Sequence, residues 1–174
     1  MAKLVVFFSR ADENYFGDSI RYVTEGNTAK IAKKIAELTK GELFQLVPAE
    51  PYAADYETCT KQAMADLQQK NYPALAQCPD NLDDYDEIYL GVPNYFGTLP
   101  MPVMTFLNKF SWQRKRIFPF VTHEGSGIGM SEKDLRKACK GAMVMKGLAV
   151  QGSNIEKVPT MVDKEIERWL LYSL

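Results

Sequence analysis

The chain has 174 residues, of which 46% are hydrophobic and 25% are charged, and its formal net charge is -1. This length fits one ordinary domain with a real core, so we expect a single domain over residues 1–174. The near-zero charge provides no global field that would favour nucleic acid or an anionic membrane, and neither is expected as a partner.

The numbers of cysteines and histidines and the lengths of the apolar runs exclude further classes of protein. The three cysteines form no CxxC pair, which argues against a disulfide framework and for a reducing compartment. A single histidine is too few for a zinc site, so no metal is expected. No apolar run approaches the ~20 residues of a membrane span, and the N-terminal run is too short for a signal peptide. We therefore expect a cytoplasmic protein.

Strands alternate with helices along the chain. Leu4–Phe8 is a continuous apolar run, which predicts a strand buried on both faces. A helix with apolar residues at helical spacing follows, with Asn27 or Thr28 as its predicted cap and Gly41 at its end. Four more strands are predicted at Glu42–Val47, Ile88–Val92, Ile117–Val121 and Gly147–Val150. Four more helices are predicted near Tyr56–Leu67, Pro102–Leu107, Ser131–Cys139 and Val162–Leu170.

This alternation, with strands that are apolar throughout, predicts a parallel sheet with helices on both faces. Ligands of such sheets bind beyond the carboxyl ends of the strands, where the strand order reverses. The segments that follow the first, third and fourth strands are therefore the candidate site.

The segment after the first strand begins with Ser9 and Arg10 and reaches a helix start at Thr24–Thr28. A glycine followed by Asn and Thr at a helix start offers backbone N–H groups, hydroxyls and a positive dipole end, which suit a phosphate. A simple helix cap is the alternative.

The other two segments carry aromatic rings and glycines. Tyr95 and Phe96 are adjacent in a loop bounded by proline and glycine, where a flat ligand would explain them better than packing. The alternative is that both rings cover the core. Thr122–Gly129 contains three glycines, which allow the backbone to approach a ligand closely. His123 in this segment is expected to donate a hydrogen bond or to pack rather than to catalyse.

Together, LVVFFSR, EGNT, IYLGVPNYFGTLPMPV and FPFVTHEGSGIGMS resemble the flavodoxin-like family, in its branch with a longer first loop. The resemblance covers the whole chain. It implies a three-layer α/β sandwich whose five-stranded parallel sheet has the order 2-1-3-4-5, with FMN bound at the carboxyl ends of the strands.

The resemblance also implies the roles of individual residues. Phosphate contacts would come from Ser9, Arg10, Asn27 and Thr28. The isoalloxazine would be flanked by Pro93, Asn94, Tyr95, Phe96, Gly97 and Thr98, with the stacking ring either Tyr95 or Phe96. The pyrimidine side and the ribityl chain would be held by Thr122, His123, Glu124, Gly125, Ser126 and Gly127. No catalytic residue is expected, because the redox chemistry belongs to the flavin.

Two residues or segments remain with open roles. Glu124 would lower the reduction potential if it faced the flavin, or would be screened if it pointed to solvent. For the insertion Ala11–Thr24 three roles are open: a flap near the phosphate, an interaction surface, or a well-packed surface insertion without a role in binding.

Two functions compete. The first is an electron carrier, monomeric or a weak homodimer, that docks on a reductase and an acceptor protein. The second is an NAD(P)H-dependent quinone or flavin reductase on the same fold. Such carriers are typically acidic and attract their partner proteins by charge. The balance of 21 basic and 22 acidic residues weakens this attraction, although Asp80–Glu87 would supply a local acidic face. The absence of a basic cluster in the three segments, which a second nucleotide would need, favours the carrier. A flavin-free binding module is disfavoured, because it would leave all three segments without a role.

Overall fold

The computed structural model describes residues 2–173. The strands are β1 (Ala2–Phe7), β2 (Asp12–Tyr15), β3 (Ile20–Val23), β4 (Glu42–Gln45), β5 (Val47–Pro48), β6 (Leu75–Gln77), β7 (Tyr85–Pro93), β8 (Arg116–His123), β9 (Met143–Val144) and β10 (Leu148–Gln151). The helices are α1 (Asn27–Thr39), α2 (Tyr56–Gln69), α3 (Met101–Lys109), α4 (Ser131–Ala138), α5 (Asn154–Lys157) and α6 (Pro159–Tyr172). Among these residues, no helix combines the length and the apolar character that crossing a membrane requires.

The central sheet has the order β4-β1-β7-β8-β10, and all neighbouring strands are parallel. This is the predicted 2-1-3-4-5 order, which is confirmed. The short β9 adds a sixth strand beside the beginning of β8. Two antiparallel pairs outside this sheet, β2–β3 and β5–β6, were not predicted. They lie in segments whose polar, interrupted sequence has no strand periodicity.

Helices cover both faces of the sheet because alternate residues of each strand point in opposite directions. Val5 and Phe7 of β1 pack in a cluster with α1 and α6. Leu4 and Val6 pack in a second cluster with α3 and α4. The two clusters make the three layers, and a strand that is apolar at every position follows from burial on both sides.

The start of α1 differs from the prediction. Gly26 is the N-cap, and neither Asn27 nor Thr28 caps the helix with its side chain. Instead, the Ala29 N–H donates to Ser9 Oγ at 3.2 Å, so the cap comes from the end of β1. The helix ends in a left-handed residue at Lys40 (φ 57°) rather than at Gly41.

The insertion after β1 forms an antiparallel hairpin of β2 and β3, here called the insertion hairpin (Asp12–Val23). The Glu13 carboxylate accepts from the Tyr56 N–H at 2.9 Å, which fixes β2 to the start of α2. Arg21 of β3 forms an exposed ion pair with Glu156 of α5 at 3.3 Å. Phe16 near the turn is buried, with the Arg21 guanidinium 3.9 Å from its ring centroid.

The charged runs of the sequence meet at the amino ends of the strands. Asp80–Glu87 leads into β7, and Lys115 next to β8 donates from Nζ to the carbonyls of Leu82 and Tyr85 at 2.8 Å each. Arg116 binds the buried carboxylate of Glu87. Because β7 has nine residues, this region lies roughly 30 Å from the carboxyl ends of the strands.

Candidate functional site

A cleft of about 330 Å³ opens at the carboxyl ends of β1, β7 and β8. Most predicted site residues line it: Ser9, Arg10, Asn27, Thr28, Pro93, Asn94, Tyr95, Phe96, Thr122, His123, Glu124 and Ser126. The predicted residues Gly97, Thr98, Gly125 and Gly127 are not part of the lining. The three segments chosen from the sequence thus converge, as the topology of a parallel sheet requires.

One wall of the cleft comes from residues that were not predicted as site residues, although a flap near the phosphate was one of the alternatives for the insertion. Asn14 and Tyr15 of the insertion hairpin and Tyr56, Cys59, Thr60 and Ala63 of α2 also line it. The aromatic residues of the insertion were a weak signal for Tyr15. Nothing marked α2, because it follows the edge strand β4 and reaches the cleft only through tertiary packing.

The start of α1 is built to receive an anion. A Cβ at Gly26 would lie 2.4 Å from Ser9 Oγ and 2.5 Å from the Arg10 carbonyl oxygen, so only glycine fits there. The first N–H groups of a helix have no partner within it, and they carry the positive end of the dipole. Since Ser9 takes the N–H of Ala29, those of Asn27 and Thr28 are left for a ligand.

Two of the predicted phosphate ligands are already engaged within the protein. The Thr28 hydroxyl is buried and hydrogen-bonds with that of Thr122 at 2.7 Å, joining α1 to the end of β8. The Arg10 guanidinium donates to the carbonyls of Glu13, Ala53 and Ala54, while its Nε is buried without a partner among the described residues. Arg10 therefore ties the insertion hairpin to the loop before α2, and only Nε remains open.

Tyr95–Thr98 forms a tight turn closed by two backbone hydrogen bonds of 3.1 and 3.0 Å. Phe96 (φ 56°) and Gly97 (φ 81°) are both left-handed, as in the turns that join hairpin strands. A bulky residue in this region is strained, and such strain concentrates at functional sites. The result is that the Phe96 ring stands 43% exposed at the mouth of the cleft.

Tyr95 has a different environment from Phe96. Its ring meets Phe8 edge to face, with centroids 6.0 Å apart, and so forms part of the wall. Burial raises the pKa of the Tyr95 hydroxyl and of the nearby Cys59 thiol, which keeps both groups protonated near neutral pH. Phe96 is thus the ring that is free to cover a flat ligand.

Asn94 fastens the second loop to the third. Its Oδ1 accepts from the Gly97 N–H and its Nδ2 donates to the Gly127 carbonyl, both at 2.8 Å. The Asn94 N–H donates to the Thr122 carbonyl at 2.8 Å. Gly97 and Gly127 therefore shape the cleft by holding the two loops together.

His123 and Glu124 are held in defined orientations. His123 Nδ1 accepts from the Gly125 N–H at 2.9 Å, and burial lowers the pKa of the ring, so that the neutral form carries its proton on Nε2. Glu124 Oε1 accepts from the Ser153 N–H at 2.6 Å, while Oε2 is buried without a partner in the described part of the chain. The alternative that Glu124 points to solvent is wrong. A Cβ on Gly152 would stand within 2.7 Å of both Glu124 Oε1 and Asn27 Nδ2, which puts the carboxylate beside the start of α1.

These features fit a flavin with a terminal phosphate. The cleft is within the size range of small-molecule sites. It joins an anion-binding helix start to an exposed aromatic ring, and it holds Arg10 Nε and Glu124 Oε2, which are buried and have no hydrogen-bond partner in the part of the chain that the structure describes. Within residues 2–173 no cluster of His, Cys, Asp or Glu could hold a metal ion.

The sheet order and the cleft at its reversal point define a flavodoxin-like α/β protein. The model of the flavodoxin family matches residues 19–167, and the chain belongs to this family. No curated protein matches it.

Solved structures share this fold. A protein from Bacteroides eggerthii DSM 20697, inferred to be a flavoprotein, is 24% identical with a TM-score of 0.76, covering 99% of this chain and 97% of its own. A second protein so inferred, from Bacteroides uniformis ATCC 8492, is 28% identical with a TM-score of 0.68, covering 92% and 97%. A flavoprotein from Lactobacillus acidophilus NCFM, solved in complex with FMN, is 21% identical with a TM-score of 0.62, covering 90% and 97%.

Proposed function

We propose that the chain binds one FMN in this cleft and transfers electrons between proteins. The observation that carries the proposal is that one cleft joins the open N–H groups of α1 to the exposed ring of Phe96. An anion site and a flat aromatic surface in the same cleft are what a phosphorylated flavin requires. The Lactobacillus acidophilus relative, solved with FMN, supports the same cofactor.

The side chains of the cleft bind and orient the cofactor. The N–H groups of Asn27 and Thr28 receive the phosphate, Phe96 covers the ring system, and His123 offers Nε2–H as a donor. FMN supplies the redox chemistry when it is bound, so no side chain needs to act as a catalyst.

The charges around the cleft favour a protein as electron donor over NAD(P)H. Among the described residues that line the cleft, Arg10 is the one lysine or arginine. Its terminal nitrogens already donate to carbonyl oxygens. The phosphates of a second nucleotide would therefore lack a partner, and hydride transfer needs the nicotinamide held against the flavin. We infer that a reductase protein and an acceptor protein are the partners. The three unpaired cysteines support a reducing, cytoplasmic location.

The surroundings of the cleft favour one alternative. The acidic run Asp80–Glu87 lies at the opposite end of the sheet, where it cannot steer a partner to the cleft. Instead, large exposed hydrophobic side chains lie at the mouth: Tyr15, Phe96 and, next to Gly97, Met130. A small flat acceptor such as a quinone would suit this mouth, which keeps an FMN-dependent quinone or flavin reductase as the second candidate.

Titration and steady-state assays test both functions. Apoprotein should bind FMN with a stoichiometry of one per chain, and the complex should oxidise NADH or NADPH far more slowly than the ~10 per second typical of enzymes. It should be reduced rapidly when a flavodoxin reductase is added. NAD(P)H oxidation at ordinary enzymatic rates would replace the carrier with the reductase, and failure to bind FMN would refute both.

A further inference from the structure

Glu124 places a buried carboxylate in the lining of the cleft. Its Oε1 accepts from the Ser153 N–H at 2.6 Å, whereas Oε2 has neither a hydrogen bond nor an ion pair within residues 2–173. The turn of the insertion hairpin lies against this second oxygen, since a Cβ on Gly17 would be 3.3 Å from Oε2. A buried carboxylate oxygen that has lost water and gained no donor is costly, so this atom calls for a partner from the ligand.

This carboxylate lies at the end of the cleft where α1 begins. A Cβ on Gly152 would stand 2.7 Å from Glu124 Oε1 and 2.2 Å from Asn27 Nδ2, so the carboxylate and the first residue of α1 are neighbours. The N–H groups of Asn27 and Thr28 are the proposed phosphate ligands. A phosphate bound there would have the Glu124 carboxylate beside it, and like charges that close in a partly buried site oppose each other's ionisation.

In the described part of the chain, no cation of the elements around Glu124 forms an ion pair with it. Arg21 of the hairpin and Lys30 of α1 both lie against Glu156 of α5, at 3.3 and 3.9 Å. Lys157 of α5 lies near the exposed carboxylate of Asp18 in the hairpin turn. The carboxylate of Glu124 is therefore left without a counter-ion among residues 2–173.

Two basic side chains line the cleft itself, and neither neutralises Glu124. Burial lowers the pKa of His123, although the adjacent Glu124 acts in the opposite direction, so the ring is neutral in near-neutral solution. Arg10 donates its terminal nitrogens to carbonyl oxygens and keeps only Nε open. The start of α1 and Arg10 Nε can offset part of the charge of a phosphate, but a doubly charged phosphate would still meet an ionised carboxylate.

We propose that the cleft binds the phosphate of FMN together with one proton, which lies in a hydrogen bond between Glu124 Oε2 and a phosphate oxygen. The proposal rests on the proposed function, because it assumes that this phosphate binds at α1. A phosphate monoester loses its second proton near about pH 6, so above that pH the proton comes from solvent when FMN binds. The shared proton gives Oε2 the donor that it lacks and removes one of two adjacent negative charges. Affinity for FMN therefore falls as the pH rises.

The test measures the dissociation constants of FMN and riboflavin for apoprotein by fluorescence titration between about pH 6.5 and about pH 8.5. For wild type, the dissociation constant of FMN should rise about tenfold or more over this interval, because a proton is taken up on binding. The dissociation constant of riboflavin, which lacks the phosphate, should stay constant.

Glu124→Gln should bind FMN without this pH dependence and, at the upper end of the interval, about tenfold more tightly than wild type. Glutamine keeps an oxygen for the Ser153 N–H, removes the charge, and offers an N–H to the phosphate in place of Oε2. Glu25→Gln is the matched control, because Glu25 is a solvent-accessible carboxylate just before α1 that pairs with Lys33 at 2.6 Å outside the cleft lining. Its pH dependence should be that of wild type. His123→Gln should bind FMN more weakly but keep the slope.

Calorimetry of wild type in buffers of different ionisation enthalpy measures the proton directly, and should show about one proton taken up per FMN and none per riboflavin. If Glu124→Gln does not fold, this measurement still decides. A dissociation constant of FMN that does not change with pH overturns the proposal while leaving FMN binding intact. The same holds for a slope that persists in Glu124→Gln or disappears in His123→Gln. A wild type that does not bind FMN refutes the proposed function instead.

Discussion

The two ends of the central sheet differ in the partners that their buried polar atoms have. At the amino ends, Arg116 binds one oxygen of the buried Glu87 carboxylate, and the other oxygen accepts no hydrogen bond but forms an ion pair with Lys3 at 3.7 Å. Lys115 donates to two carbonyls at the same end. At the carboxyl ends, Arg10 Nε and Glu124 Oε2 are buried and have neither a hydrogen bond nor an ion pair within residues 2–173, and Phe96 is strained. Unsatisfied buried groups and strained backbone are uncommon in native proteins and concentrate where a ligand binds. The difference indicates that one end stabilises the fold and the other is prepared for a ligand.

The largest expected effect is on stability, at the amino end. Arg116→Ala should lower the free energy of unfolding by about 3 kcal/mol, because it removes the partner of the buried Glu87 carboxylate. Urea denaturation of apoprotein measures this, and FMN affinity should stay unchanged. Arg136→Ala is the control, since Arg136 forms an exposed pair with Glu132 at 3.4 Å and should cost less than about 1 kcal/mol. A loss of FMN affinity in Arg116→Ala would show that the two ends are coupled.

Gly26→Ala should cause a large loss of binding at the carboxyl end. The added Cβ would displace Ser9 or the Arg10 backbone, which distorts the start of α1 by an overpacking cost of about 1–3 kcal/mol. We expect FMN affinity to fall about 30-fold, with a smaller fall for riboflavin, which lacks the phosphate. Fluorescence titration with both ligands checks this, and an equal fall for the two would mean that the phosphate does not bind at α1.

Substitutions of the two aromatic rings should affect different quantities, FMN affinity for Phe96 and the free energy of unfolding for Tyr95. Phe96→Ala should weaken FMN by about 0.5–1.5 kcal/mol beyond the lost burial, with little change in unfolding, because the ring is exposed in the apoprotein. Tyr95→Ala should destabilise the protein itself, since Tyr95 packs against Phe8. Calorimetry of the two variants, with and without FMN, measures both quantities. The reverse pattern would make Tyr95 the covering ring.

The smallest effect concerns pH and His123. Burial lowers the pKa of His123 in the folded state below its ordinary value near 6.5. The unfolded chain then binds more protons as the pH falls below about 6.5, so stability should decrease there and be complete above that pH. His123→Gln should remove this slope, measured by urea denaturation between pH 5 and pH 8 at ~0.5 unit intervals. A slope that persists in His123→Gln would assign it to other groups.

Much of the fold follows from local patterns. The alternation of strand and helix patterns predicts the five parallel strands, with the clearest apolar runs in β1 and β7, and the segments after the first, third and fourth strands do form the cleft. The local sequence was misleading at the start of α1, where Asn27 and Thr28 have the chemistry of caps but Ser9, distant in sequence, provides the hydroxyl. It was also misleading for Asp80–Glu87, since charge density does not indicate which end of a sheet a loop occupies.

The sequence by itself determined the parallel sheet, its strand order through the family resemblance, and the turn and glycine segments, because these depend on hydrophobic periodicity and backbone freedom within a few residues. Only the tertiary structure decided which polar atoms are left without a hydrogen-bond partner in the protein. Arg10 has the chemistry of a phosphate ligand, yet three carbonyls from separate segments occupy its terminal nitrogens. Glu124 could have been exposed, yet Ser153 and Gly17 enclose it. Hydrogen bonds and burial depend on distances between segments that are far apart in the chain, and no local pattern specifies those distances.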